Sequence, residues 1–100
     1  MLEGGPERRR PIRFELGEVF ITPGALMAVT EAHVAPHELL ARHQTGDFGK
    51  LCAEDREANR RAVRLGCRVL SQYDLSTGEK VWIITEGPRD QTTILLAREY

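Results

Sequence analysis

One hundred residues, 41% hydrophobic and 29% charged with a formal net charge of −1, suit one domain with a single modest core. Apolar runs such as ILLA at 94–97 are far too short to cross a bilayer, and the opening MLEGGPERRRP lacks the apolar stretch of a secretory leader, so a cytoplasmic protein with no membrane association is expected. Two cysteines, Cys52 and Cys67, with no CxxC spacing exclude a zinc framework and a disulfide scaffold.

Residues 1–12 read as a flexible N-terminal tail, because Gly4, Gly5 and Pro6 break structure and Arg8, Arg9 and Arg10 repel one another. The domain is expected over 13–100. RFELGEVFI, 13–21, reads as a strand bent at Gly17, where the parity of the apolar positions changes. TPGALMAVTEAH, 22–33, starts a helix with Thr22 as cap and Pro23 in the first turn; Ala25, Leu26, Val29 and Ala32 form its expected inward stripe. Pro36 opens a second helix, PHELLARHQ, with Leu39 and Leu40 inward and Gly46 as the left-handed stop.

AEDREANRRAVRL, 53–65, predicts a third helix closed by Gly66, acidic in its first turn and basic after it, as the helix dipole favours. Its expected inward stripe is small: Ala58, Ala62 and Leu65, flanked by Val63. Beyond Gly66 the period becomes extended. RVLSQYDL, KVWIITE and QTTILLA predict three strands joined by the short turns STGE and GPRD. The expected architecture is α+β: one N-terminal strand, three helices, then a three-stranded antiparallel meander, with the helices packed on one face of the sheet.

Charge is unevenly spread. Residues 42–68 hold seven Lys and Arg against four acids, while both flanking parts are net negative. This is the sequence's hint of an anionic partner. Arg56, Arg60 and Arg64 repeat every four residues and fall on one helix stripe, suited to a phosphate backbone or to a solvated face with pairs such as Glu57–Arg61. No aromatic residues interleave with them, so base stacking is not indicated.

RHQTGDFG, 42–49, adjoins that stripe. Arg42, His43 and Asp47 give it binding potential, and a helix-end histidine beside a carboxylate can act as a general acid or base. The same residues can build a corner, with Gly46 ending the helix and Phe48 anchoring the loop in the core. Asp55 and Asn59, one turn apart, are suited to holding a neighbouring loop by hydrogen bonds, the GDFG backbone being the nearest in sequence. His33 and His37 have Pro36 between them and no further ligand at metal spacing, so no metal is expected, and no nucleotide or cofactor motif is present.

ITPGAL, ELLARHQTGDFG, the Asp55–Asn59 pair, LSQY, VWIITE and TTILL followed by EY resemble a family of small bacterial plasmid-related proteins, some carrying a loose restriction–modification subunit label. The resemblance spans about residues 14–100 and implies a one-domain protein found on mobile elements, and it carries over no biochemical function. The chain departs from the family pattern at Phe48, in place of Trp; at the GPRD turn, in place of an A-D-R-S type, where Arg89 alone keeps its position; and at Ala97, in place of Pro.

The primary expectation is therefore a non-enzymatic accessory or interaction protein that meets a protein or nucleic acid through Arg42, His43, Asp47, Arg56, Arg60 and Arg64, with no cofactor. A homodimer through an exposed sheet edge, such as that of the last strand, is a further expectation. The alternative is a toxin-like endoribonuclease with a barnase/RelE-like hairpin site, using His43, Glu86 and Arg89, which requires the three to share one cleft.

Overall fold

A computed structural model describes residues 11–100. The tail expected over 1–12 falls, for residues 1–10, outside the described residues. In chain order the elements are β1 (Glu18–Ile21), α1 (Pro23–Glu31), α2 (Pro36–Gln44), α3 (Ala53–Leu65), β2 (Val69–Asp74), β3 (Lys80–Thr85), β4 (Gln91–Leu96) and a closing 3-10 turn (Ala97–Glu99). The protein is α+β, as its pattern predicts. Among the described residues no helix is long and apolar enough to cross a membrane.

The four strands form one mixed sheet in the order β1-β4-β3-β2. β2, β3 and β4 are the antiparallel meander, and β1 joins it by running parallel to β4, with Val19 opposite Thr92 and Ile21 opposite Ile94. The last strand is thus interior, and the open edge belongs to β1. The strand expected from residue 13 is shorter because Arg13 N–H bonds to Gln44 O and Leu16 C=O accepts from Thr92 Oγ1, which holds 13–17 over the core outside the ladder. Gly17, at φ +66°, passes so close to Asp90 that a Cβ there would collide with its backbone carbonyl.

Strand alternation puts Val69, Ser71 and Tyr73, Val81, Ile83 and Thr85, and Thr92, Ile94 and Leu96 on one face, all buried. α1 and α2 cover this face through Ala25, Ala28, Val29 and Leu39. Leu26, expected inward, is exposed, and Ala28 takes its place: small residues let α1 sit close to the sheet. Thr22 caps α1 by accepting from Ala25 N–H, as its sequence suggests.

α3 departs from the expected one-face arrangement. Ala62 and Val63 pack on a second cluster of Phe14, Phe48 and Val69, but Leu65 and Ala58 are exposed and the helix flanks the edge of β2. The cause is Asn59, the one buried residue of α3, which accepts from Leu70 N–H at 3.2 Å and donates to Leu70 C=O at 2.6 Å. It satisfies the outward backbone groups that a further strand would have used. Two residues on, Gln72 N–H donates to Phe48 C=O and Lys50 N–H to Gln72 C=O, a one-rung bridge centred on Gly49.

Candidate functional site

The 42–49 segment is first a corner. α2 ends at Gln44 with Thr45 as its C-cap, Gly46 turns at φ +93°, and Phe48 is buried. The Tyr73 hydroxyl donates to Asp47 C=O at 2.7 Å, and burial pushes that phenol well above its ordinary range. Arg42 holds the Asp47 carboxylate with two hydrogen bonds and lies over the Tyr73 ring, and this carboxylate contact raises its already high pKa. Gly49 N–H also donates to Asp47.

His43 is not at the surface. It is fully buried, its ring edge-on to Phe14, with Nδ1 2.6 Å from Ser71 Oγ and Nε2 2.9 Å from Thr85 Oγ1. The proton directions follow from counting. Thr92 donates its single hydroxyl proton to Leu16 C=O, so Thr85, 2.8 Å away, donates to Thr92. With the Thr85 proton used, His43 donates from Nε2 and Nδ1 accepts from Ser71. The imidazole is held neutral: burial, helped by the charge of Arg89, lowers its pKa from 6.5 to about 3. Such a base is sealed from substrate.

The hairpin residues have structural duties too. Arg89, at φ +64°, donates to Cys67 C=O at 2.7 Å, Glu86 C=O at 3.2 Å and Ala62 C=O at 3.1 Å, and its guanidinium lies over Phe14. The Ala62 carbonyl belongs to the last turn of α3, where a cation is electrostatically favoured. Glu86 faces Arg68 at 3.6 Å. His43, Glu86 and Arg89 therefore do not line one open cleft, because Phe14 stands over the imidazole and three carbonyls occupy the arginine. Asn59 holds backbone as the sequence suggests, but that of β2 rather than of the GDFG loop.

The arginine stripe divides. Arg56 donates to Leu51 C=O at 2.6 Å, and Arg60 pairs with Glu57 at 3.1 Å on the surface. Arg64 makes no hydrogen bond or ion pair among the described residues. Arg60 and Arg64 line one side of a pocket of about 230 Å3, with Val63 and Phe48 as an apolar floor and Thr45 and Gly46 opposite. A third cation completes it. Arg13, which its sequence position did not single out, donates from Nε to Thr45 C=O at 3.3 Å and lies against Gly46, where an added Cβ would stand 3.1 Å from that nitrogen. The pocket thus joins one flank of the corner to one flank of α3 and presents three guanidinium groups, chemistry suited to an oxyanion.

Among the described residues no group of three or more His, Cys, Asp or Glu side chains is placed to hold a metal ion. No family model, curated protein or solved structure matches the chain.

Proposed function

We propose that the protein is a non-enzymatic accessory protein of a bacterial mobile element that contacts nucleic acid by its phosphates, with Arg13, Arg60 and Arg64 as the gripping residues. The observation that carries this reading is their convergence on one pocket, where Arg13 from the N-terminal part joins residues of the positively charged 42–68 stretch. Guanidinium groups pair with phosphate oxygens through paired N–H donors, and an apolar floor lowers the competing hydration. Phe48 is buried and so offers no stacking surface, which favours backbone contact over base reading. Arg42, Asp47 and Arg56 belong to the scaffold of this surface, and His43 to its support from beneath. A second copy joined through a sheet edge would have to use β1.

The test is fluorescence anisotropy with labelled DNA and RNA over a salt series. Three phosphate contacts give a log–log salt slope of roughly −2 to −3. Replacing Arg60 and Arg64 together by Ala should weaken binding about tenfold or more and flatten the slope by about two. Absence of binding at low salt, or an unchanged slope in the double variant, would sink the proposal.

A further inference from the structure

On the opposite flank of α3 lies a second recess of about 360 Å3, between that helix and the sheet face turned away from α1 and α2. Its walls are the side chains of Leu51, Ala58 and Leu70 and the indole of Trp82. Three polar side chains reach it, and two are already engaged. Asn59 is bound to both backbone groups of Leu70. Gln72 accepts from Trp82 Nε1–H at 3.0 Å through Oε1 and donates to Asp74 at 3.4 Å through Nε2. The third is Asp55. Its carboxylate is exposed and makes no hydrogen bond or ion pair among the described residues. The neighbouring cation, Arg56, is bound to Leu51 C=O instead.

A first-turn aspartate is favoured by the helix dipole, and Glu54 meets the same preference. The dipole does not account for a carboxylate on the rim of a recess that contains the chain's single tryptophan. The indole is fixed: Tyr100 lies against it at 5.1 Å and Gln72 holds its N–H. A rigid indole face, aliphatic walls and one unengaged carboxylate complement a flat cation on an aliphatic stem. Guanidinium meets all three requirements, since it stacks on indole, pairs with carboxylate through two N–H donors and sheds water more readily than ammonium.

From this juxtaposition we infer that the α3–β2 recess is a docking site for an arginine side chain of a protein partner, held between Asp55 and Trp82. The site is independent of the arginine pocket, which takes the opposite charge on the other flank of the same helix. α3 would then join an anionic partner to a basic one.

The single tryptophan makes the site directly readable. The probe is Nα-acetyl-arginine amide, titrated into the whole protein while Trp82 fluorescence and the NMR signal of its indole N–H are followed. A saturable change in both is expected, with an affinity in the millimolar range, on the order of that of a side-chain-sized fragment. Nα-acetyl-citrulline amide, of the same shape without the charge, should bind at least about fivefold more weakly, and Asp55→Asn should weaken the arginine probe by a similar factor. Because Asp55 is exposed and contributes to folding only through the helix dipole, the variant should keep its far-UV spectrum and melt at most a few degrees lower. The citrulline comparison uses the unaltered protein and decides the matter even if the variant does not fold. No saturable change, equal binding of citrulline, equal binding by a folded Asp55→Asn, or tighter binding of the lysine analogue would each overturn the inference.

Discussion

His43 donates from Nε2 to Thr85 Oγ1 across 2.9 Å, and this link joins a helix to the centre of the sheet in a place water does not reach. It fixes the imidazole as the neutral Nε2–H tautomer, with Ser71 donating to Nδ1. The expected NMR signature is an acceptor-type Nδ1 and a slowly exchanging Nε2 proton. A protonated ring at neutral pH would contradict the arrangement.

Stability should fall in acid because of this residue. The unfolded chain binds a proton near the ordinary histidine pKa of 6.5, and the folded protein resists it until about 3. Between those values the unfolded state holds more protons, so the stabilisation is complete above 6.5 and is lost as the pH falls toward 3. The slope approaches about 1.4 kcal/mol per pH unit, on the order of 5 kcal/mol in all. Urea titrations from pH 7 to pH 4 should show it, and His43→Leu should show a shallower slope over the same interval.

Replacing His43 by Ala should cost about 3–5 kcal/mol, since it leaves a void, strands the hydroxyl proton of Ser71 and takes a donor from Thr85 Oγ1. Ser71→Ala should cost less, about 1–3 kcal/mol, through the unsatisfied Nδ1. Chemical denaturation measures both, and a neutral effect at either position would argue that water reaches the site.

Arg89→Ala should destabilise by about 2–3 kcal/mol, since it strips a donor from three carbonyls, one in the last turn of α3, one just beyond it at Cys67 and one in the β3–β4 turn at Glu86. Arg89→Lys should recover less than half, because an ammonium does not reproduce the planar fork. Removing the positive charge should also let His43 titrate at higher pH, a shift readable by NMR. A catalytic arginine free of structural duty would leave stability untouched.

Asn59→Asp should destabilise by about 2–3 kcal/mol, because a carboxylate cannot donate to Leu70 C=O and is repelled by it. Gly49→Ala should be at least as damaging. Gly49 sits at φ +77°, and a Cβ there would run into the carbonyl oxygen of Gln72. Thermal melts of the two variants check both expectations.

Local signals in the chain are strong. α3 runs from Ala53 to Leu65 and ends at Gly66 in the left-handed region, as its acids, arginines and glycine indicate, and the three C-terminal strands fall within a residue or two of their apolar runs. The parallel pairing of β1 with β4 is not legible, because it joins segments some seventy residues apart and leaves no periodic mark. Leu26 misleads because bulk is a poor guide where a helix must lie close to a sheet. The burial of His43 did have a signal. Ser71, Thr85 and Thr92 occupy the inward parity of strands whose other inward residues are apolar, and three buried hydroxyls call for a polar partner from elsewhere. In the arginine pocket, Arg60 and Arg64 were legible from their spacing, while Arg13 enters only through the fold.

The two sides of the sheet differ in a way that limits polymer growth. Asn59 and the Gly49 rung occupy the outward groups of Leu70 and Gln72, so a strand arriving from another molecule finds the middle of β2 already bonded. Among the described residues β1 is the border left to accept one. A sheet with two receptive borders can extend without limit into a fibre, whereas one with a single receptive border stops once two molecules have met. In that light the amide of Asn59 and the Gly49 rung act together as a chain terminator, and both would have to go before a filament could propagate from this border.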